Sequence, residues 1–337
     1  MSDASRRYWI MLPPSRSAAR TGQAAQEAEA AGLEGVFSFE LATNPWASLG
    51  AVAATTSSIR LASGIALALA RSPYDTALAA LDLDRLSEGR FTLGLGTGVR
   101  SVHEQHYAMP YDRPVARLAE ALRIIRLVTT GEARKAGRFD GEFNQLDFSK
   151  VSVAPPLRPR LPIWVAALRT PLVRVAGELA DGLVGHPSWS LDWARRQITG
   201  PFADAVAASG RTRNEVEINL WHVVAPNPDR AESVNDAKRH VAIYAAIAQY
   251  QPYFAAHGFG AEAGRLAEAS AAGQRNLVDL VPDEMARTFV VCGTPGEVAD
   301  QLEPMWEVAD SLCLQPPPVA GEQRRAYDAR IAETFYR

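Results

Sequence analysis

Carboxylate and imidazole side chains lie at the ends of apolar, strand-like segments in this sequence, where acid–base chemistry could take place. Glu40 follows the apolar segment 35–39, and His186 follows the segment 182–185. A carboxylate is costly to bury without a partner, so Glu40 is predicted either to transfer protons or to form an ion pair, with Arg71 as the candidate partner. His186 could titrate near neutral pH, and it is predicted either to transfer protons or to be a hydrogen-bonded loop histidine.

A glycine-rich run offers a second kind of site. Phe91-Thr-Leu-Gly-Leu-Gly-Thr-Gly98 begins as a strand and ends with glycine at every second position. Glycine allows a close approach to the backbone, so Gly96, Thr97 and Gly98 are predicted to form a platform for a phosphate or a flat ring. A bulge or a tight barrel corner is the alternative. The run matches neither the dinucleotide fingerprint nor a P-loop.

Other reactive side chains give weaker indications of chemistry. His103 and His106, with Glu104 between them, lack a third convergent ligand, so no metal site is predicted. No Gly-x-Ser-x-Gly motif occurs, and nucleophilic hydrolysis therefore has no support. His240 and His257 lie in helical or inserted sequence and are expected to face solvent.

The elements that must position these residues alternate along the chain. Strand-like segments are each followed by an alanine-rich, helix-like stretch, which indicates a parallel sheet with crossover helices. The segments are 8–12, 35–39, 60–69, 91–96, 162–168, 182–186, 217–224 and 311–315. This alternation predicts an α/β fold, a (β/α)8 TIM barrel, with a doubly wound open sheet as the alternative. No linker divides residues 1–337, so a single domain is predicted.

Helix boundaries are indicated by short local motifs. A capping side chain precedes proline at five predicted helix starts, and glycine is predicted to end three helices. The starts are Asn44-Pro45, Ser72-Pro73, Thr170-Pro171, Asn227-Pro228 and Thr294-Pro295, and the ends are Gly32, Gly89 and Gly131.

Two stretches, residues 99–114 and 249–287, exceed what a minimal barrel needs and are predicted to be binding loops or lids. In a TIM barrel the loops that follow the strands line the active-site mouth. We therefore expect the chemistry at the carboxyl ends of the strands. Those ends carry Ser38, Phe39, Glu40, Gly64, Ile65, Gly96, Thr97, Gly98, Ala166, Ala167, Arg169, His186 and Trp221.

Composition excludes several functional classes. The net charge of −3 argues against a nucleic-acid partner, and no apolar run approaches the roughly 20 residues of a membrane span. The first residues lack the apolar segment of a signal peptide. Cys292 and Cys313 are predicted to be buried thiols, which suits a reducing cytoplasmic location.

Several segments together resemble the luciferase-like monooxygenase superfamily. They are 61–73 (LASGIALALARSP), 86–98 (LSEGRFTLGLGTG), 162–167 (PIWVAA), 176–182 (AGELADG) and 291–298 (VCGTPGEV). The match is collinear over essentially the whole chain. His186-Pro187, Ile243-Tyr244 and Tyr250 are similar to the branch of coenzyme F420-dependent (deazaflavin) oxidoreductases.

The resemblance implies a TIM barrel that holds a flavin or deazaflavin at its C-terminal mouth. It implies a non-proline cis peptide at Gly64-Ile65 behind the ring, and a phosphate near Gly96–Gly98 and the loop from Ala166 to Thr170. Backbone N–H groups in a glycine loop and at a helix start favour an anion there. The cofactor-binding residues implied are Ser38, Phe39, Gly64, Ile65, Gly96, Thr97, Gly98, Ala166, Ala167, Arg169 and Thr170.

The sequence also departs from the family pattern. Sugar-phosphate dehydrogenases of the family have a carboxylate at the position of Val99 and a histidine at the position of Glu40, which argues against that substrate. Leu168-Arg169-Thr170 is bulkier and more basic than the usual loop, so Arg169 could bind the phosphate by its charge.

The predicted function is hydride transfer between coenzyme F420 and a small organic substrate. Glu40 or His186 would move the accompanying proton, and Trp46, Trp221 and Tyr244 would shape the substrate pocket. An FMN-dependent two-component monooxygenase and an inactive flavin- or ligand-binding barrel are the alternatives. The resemblance further implies a homodimer and a flavin or F420 reductase as the electron source, whereas the substrate and the direction of transfer are not encoded in any motif.

Overall fold

The computed structural model describes residues 6–15, 17–41 and 43–336. In these residues most of the predicted strands appear within a residue or two of their expected bounds, and the segment 60–69 is divided in two. The strands are β1 (Tyr8–Met11), β2 (Gly35–Ser38), β3 (Arg60–Ser63), β4 (Ala66–Leu67), β5 (Phe91–Gly96), β6 (Arg138–Asp140), β7 (Gln145–Asp147), β8 (Ile163–Ala167), β9 (Gly182–Gly185), β10 (Glu217–Pro226), β11 (Val291–Gly293) and β12 (Ser311–Gln315).

Helices separate most of these strands. They are α1 (Ala18–Ala30), α2 (Pro45–Thr55), α3 (Pro73–Leu86), α4 (Arg100–His106), α5 (Pro114–Thr129), α6 (Ala133–Ala136), α7 (Thr170–Leu179), α8 (Leu191–Trp193), α9 (Thr199–Ala208), α10 (Arg230–Ala245), α11 (Gln251–Ala256), α12 (Gly260–Ala271), α13 (Asp283–Phe289), α14 (Pro295–Leu302) and α15 (Gly321–Phe335).

The main sheet closes on itself. Its strands follow the order β10, β12, β1, β2, β3, β5, β8 and β9, and β9 pairs again with β10. The chain therefore folds as a closed, eight-stranded parallel barrel with surrounding helices, which confirms the predicted TIM barrel and excludes the open sheet. The pattern did not predict the antiparallel hairpin β6–β7 or the short strand β11, which pairs with β10.

Residue contacts divide the chain into two compact units. The N-terminal unit comprises 9–184 and 200–218, and the C-terminal unit comprises the described part of 1–8 together with 185–199 and 219–337.

The N-terminal unit contains a half-buried charge network beside aromatic rings of its core. The Arg60 guanidinium lies 5.2 Å from the ring centroids of both Trp9 and Trp164. It also forms ion pairs with Glu34 and Glu217, each at 2.9 Å. The cation is therefore compensated by two carboxylates and two aromatic faces, as a charge removed from water requires.

The core of the C-terminal unit is built on β10 and β12, which pair in parallel from Asn219 and Ser311 onward. The C-terminal helix α15 is fastened to α10 by a buried carboxylate. Asp236 accepts hydrogen bonds from the Tyr327 hydroxyl at 2.9 Å and from the Gln323 amide at 2.7 Å. These bonds fix α15 against α10.

Three of the five predicted helix starts are confirmed. The side chains of Asn44, Ser72 and Thr294 each accept a hydrogen bond from a backbone N–H in the first turn. Glycines 32, 89 and 131 adopt positive φ where their helices end, as predicted.

At the other two predicted starts, the predicted capping residue is wrong. Thr170 is already helical, and Arg169 is the N-cap residue. Asn227 instead accepts a hydrogen bond from the Asp229 N–H at 3.1 Å, and the Asp229 side chain caps α10. An aspartate two residues further on thus takes the capping role, because its carboxylate reaches two N–H groups of the first turn.

Candidate active site

The ends of β2 and β3 bring several predicted site residues together. The Gly64 N–H donates to the Ser38 carbonyl at 2.8 Å, and the Glu40 N–H donates to the Ile65 carbonyl at 3.1 Å. The Gly64–Ile65 peptide is cis, as the family resemblance implies. Ser38, Glu40, Gly64 and Ile65 therefore form one hydrogen-bonded segment, and Phe39 lies half-buried between Ser38 and Glu40.

Glu40 is the centre of a dense group of hydrogen-bond donors. Its carboxylate binds both Nη atoms of Arg71, accepts from the Leu67 N–H at 2.8 Å and accepts from the Tyr107 hydroxyl at 2.9 Å. The predicted ion pair with Arg71 is thus present. Burial opposes ionisation, but Arg71 and the other donors outweigh it and lower the pKa of Glu40 below its ordinary value. Glu40 is therefore a buried carboxylate at neutral pH.

A carboxylate has about four lone-pair positions, and four donors occupy those of Glu40. Trp46, predicted to line the substrate pocket, lies on the other side of this ion pair, with its ring centroid 5.7 Å from the Arg71 guanidinium. Glu40 consequently holds together the end of β2, the strand β4 and the 99–114 insert.

The glycine run that begins on β5 makes room for the β3–β4 segment. A Cβ at Gly94 would lie 1.9 Å from the Ser63 carbonyl oxygen, and one at Gly96 would lie 2.2 Å from Cδ1 of Ile65. Gly98 has φ of +61°, and a Cβ there would lie 2.6 Å from Leu67. Close packing between strands thus explains the spacing of the glycines, because each faces a residue of the β3–β4 segment.

The two predicted phosphate-binding loops lie side by side. β5 and β8 pair in register at Leu95 and Val165, so Gly96 and Ala166 follow on adjacent strands. Ala167 ends β8, and Arg169 and Thr170 begin α7. Arg169 is exposed and forms no ion pair with any residue in the described ranges. An uncompensated cation at the start of a ten-residue helix is suited to an anion.

The 99–114 insert is fastened to the end of β5. The His103 ring nitrogen Nε2 lies 2.7 Å from the Thr97 carbonyl oxygen, and the Tyr111 hydroxyl donates to the Gly98 carbonyl at 2.7 Å. His103 is fully buried, and burial lowers its pKa, so its ring is neutral. Since a carbonyl only accepts, Nε2 carries the hydrogen of this neutral imidazole.

In the C-terminal unit, His186 is held through both ring nitrogens. Nδ1 accepts from the Ser188 N–H at 3.1 Å, and Nε2 lies 3.0 Å from the Tyr250 hydroxyl. Burial, with the nearby His240 as a smaller contribution, lowers the pKa of His186 to about 3. The imidazole is therefore neutral at physiological pH.

The prediction that His240 and His257 face solvent is wrong. His240 is buried and bonds the Ser188 hydroxyl at 2.9 Å, and His257 bonds the Ser190 hydroxyl at 2.8 Å. A single sequence cannot reveal these pairs, because more than fifty residues separate the partners. The histidines fix the loop that follows β9.

Tyr244 and Trp221, the other predicted pocket residues, also lie in the C-terminal unit. The Tyr244 ring packs edge-on against His186, with centroids 5.0 Å apart, and lies 4.8 Å from the ring of His240. Burial raises the pKa of Tyr244 to about 12, so its hydroxyl stays protonated. Trp221 is buried within β10.

No three metal-ligating side chains in the described parts of the chain lie close enough to hold a metal ion. Nor does any helix in those parts have the length and apolar character needed to cross a membrane.

Comparison with known proteins places this geometry in a family. Residues 5–309 match the family described as luciferase-like monooxygenase. The chain belongs to the luciferase-like monooxygenase family. An uncharacterized protein of Mycobacterium tuberculosis, Rv1360, is 30% identical to this luciferase-like chain over 88% of its length and 92% of the relative's.

Two further comparisons concern named activities. The putative coenzyme F420-dependent oxidoreductase Rv3520c of Mycobacterium tuberculosis is 27% identical over 96% of both chains. The solved structure of the coenzyme F420-dependent tetrahydromethanopterin reductase from Methanopyrus kandleri superposes with a TM-score of 0.80 at 20% identity, covering 98% of both chains. This luciferase-like protein is accordingly an oxidoreductase of the luciferase-like class.

Sequence reasoning missed the hydrogen bonds that His103 and Tyr111 make to the end of β5, and the bond from Tyr107 to Glu40. The His-Glu-His spacing around His103 draws attention to metal binding, whereas the ring bonds a backbone carbonyl. The signal that could have found the tyrosines is their spacing, since two tyrosines four residues apart lie in an insert beside the glycine run.

Proposed function

We propose that this chain is a coenzyme F420-dependent oxidoreductase that transfers hydride between the deazaflavin and a small organic substrate. The observation that carries the proposal is the adjacency of the β5 and β8 ends, with the exposed, unpaired Arg169 at the start of α7. The name of the chain-long relative Rv3520c supports the same cofactor.

The residues present suit an anionic, planar cofactor. Gly96, Thr97, Gly98 and the loop from Ala166 to Thr170 would bind the phosphate, and Ser38, Phe39, Gly64 and Ile65 would contact the ring. A bound deazaflavin would supply hydride chemistry, because carbon replaces the flavin N5 and the resulting ring exchanges hydride while reacting little with oxygen. The protein contributes binding, orientation and a path for the proton.

We assign the proton transfer to His186 in preference to Glu40. All acceptor positions of Glu40 are occupied by protein donors, which hold it as a carboxylate. His186 is neutral, and its Nε2 meets the Tyr250 hydroxyl, a group that can both donate and accept. Trp46, Trp221 and Tyr244 are proposed to contact the substrate.

Titration of the apo-protein with F420 and with FMN, followed by fluorescence and visible absorbance, tests the cofactor. We expect saturable F420 binding, and reduction of F420 by at least one compound in a screen of small organic substrates. Tight FMN binding without F420 binding would favour the two-component monooxygenase instead. F420 binding without turnover of any substrate would favour a binding barrel.

The remaining proposals concern partners. A homodimer through α2, which exposes Ala47 and Ala54, is proposed and is tested by light scattering of the purified protein. A separate F420 or flavin reductase is proposed as the electron source, and a coupled assay with such a reductase would measure the exchange.

A further inference from the structure

Two side chains of the 99–114 insert bind consecutive backbone carbonyls at the end of β5. His103 Nε2–H donates to the Thr97 carbonyl, and the Tyr111 hydroxyl donates to the Gly98 carbonyl, both at 2.7 Å. The two donors therefore fix the orientation of two successive peptide units, Thr97–Gly98 and Gly98–Val99.

The orientation of a carbonyl also sets the orientation of the N–H group in the same peptide. In a planar trans peptide the two groups point in opposite directions. Because the Thr97 and Gly98 carbonyls point towards the insert, the N–H groups of Gly98 and Val99 point to the side opposite the insert. Two successive amides directed to one side form a concave donor arrangement that binds anions.

We propose that His103 and Tyr111 are positioning residues for the cofactor phosphate, which they serve by holding the Gly98 and Val99 amides in a phosphate-binding orientation. This inference rests on the proposed function and specifies how its phosphate site is built. Neither side chain is assigned a contact with the phosphate; each acts through the backbone.

The fit around Gly98 supports this role. Gly98 has φ of +61°, and a Cβ at this position would lie 3.0 Å from His103 Nε2. The histidine thus occupies the space beside the glycine while it bonds the preceding carbonyl. Burial of His103 and of Tyr111 keeps both bonds away from competing water.

The insert supplies its own control residue. The Tyr107 hydroxyl donates to the Glu40 carboxylate at 2.9 Å and bonds neither loop carbonyl. Y107F and Y111F therefore remove the same chemical group from the same insert, but only Y111F removes a bond to the peptide that carries the Val99 amide.

The test compares chromophores with and without phosphate. Dissociation constants are measured for F420 and for its phosphate-free chromophore, 8-hydroxy-5-deazariboflavin, and in parallel for FMN and riboflavin. We expect Y111F and H103F to weaken binding of the phosphorylated form by about 3- to 10-fold, the effect of one lost neutral hydrogen bond. In the same two variants, the dissociation constant of the phosphate-free form should stay within about 2-fold of the wild-type value. In Y107F, the ratio of the dissociation constants of the phosphorylated and phosphate-free forms should equal the wild-type ratio.

Several results would overturn the inference. Equal weakening of both chromophores by Y111F would show a merely structural role, and an unchanged ratio in both Y111F and H103F would show that the amides are held by other means. Circular dichroism shows whether each variant is folded. If H103F does not fold, the result for Y111F alone decides whether the inference holds. Wild-type protein that binds FMN but not F420 refutes the proposed cofactor while the FMN–riboflavin ratio still tests the positioning role. Wild-type protein that binds neither phosphorylated chromophore refutes both proposals.

Discussion

Replacing Glu40 by glutamine tests how strongly this carboxylate holds the strand ends together. The Glu40 side chain is 2% exposed and that of Arg71 is 15% exposed. Glutamine keeps the size of the side chain, but it removes the charge and turns one acceptor oxygen into an N–H donor. That amide would face the N–H of Leu67 or the hydroxyl of Tyr107, both of which donate to the carboxylate.

The expected loss of stability follows from the unpaired cation. Removing one partner of a buried ion pair costs about 3–5 kcal/mol, and we expect about 3 kcal/mol for E40Q because Arg71 keeps some contact with solvent. The free energy of unfolding is measured by urea denaturation followed by circular dichroism at about pH 7. D82N is the matched control, since Asp82 pairs with Arg85 on the surface, with 67% of the Asp82 side chain exposed. It should cost less than about 1 kcal/mol.

The difference in free energy of unfolding between wild type and E40Q should change with pH in one direction. The pKa of Glu40 is lowered by folding from an ordinary value of 4.5, so its contribution to stability is present above that pH and is lost as the pH falls through the lowered value. The gap between wild type and E40Q should therefore narrow as the pH is lowered from about 6 towards about 3. The double variant E40Q/R71M should recover part of the loss, because it leaves no unpaired charge. If the free energy of unfolding of E40Q is within about 0.5 kcal/mol of the wild-type value at neutral pH, this reasoning is refuted, because substitutions at surface positions typically have effects of that size.

Three other predictions concern the same scaffold. G94A should lower the urea midpoint sharply or prevent folding, because its Cβ would lie 1.9 Å from a carbonyl oxygen of the neighbouring strand. G200A is the control: its Cβ would meet open space, so it should be neutral or stabilise the protein by up to about 1 kcal/mol. R60M should reduce the free energy of unfolding by about 2 kcal/mol, because it removes the charged hydrogen bonds of the half-buried Arg60 to Glu34 and Glu217, and a loss below about 0.5 kcal/mol would contradict this role. Burial raises the pKa of Cys292 to about 11, so a thiol reagent at neutral pH should label it only in urea, and rapid labelling of the native protein would show that the thiol is accessible.

Local patterns predicted most of the fold. Two kinds of local pattern were sufficient: apolar strand segments, and a capping side chain before proline at Asn44, Ser72 and Thr294. Both depend on the conformation of a few neighbouring residues, so a short stretch of sequence predicts them. The exposed hairpin β6–β7 was not predicted, because its strands of three residues are too short to show an alternation of apolar and polar residues.

The candidate site was less predictable because its side chains meet partners that are distant in sequence. The Glu40–Arg71 pair could be proposed from charge alone, but the Tyr107 hydroxyl comes from 67 residues away. The spacing of the glycines likewise depends on contacts between neighbouring strands. Gly94 and Gly96 make room for Ser63 and Ile65 of the neighbouring strand segment, a contact that depends on strand register.

A crystal structure of the protein with bound F420 tests the central claim most directly. We predict that the cofactor phosphate lies within hydrogen-bond distance of the Gly98 and Val99 amides and near the Arg169 guanidinium, with the ring against Ile65. A phosphate bound elsewhere, or crystals that take up no F420 at saturating concentration, would contradict the proposed site and the activity assigned to it.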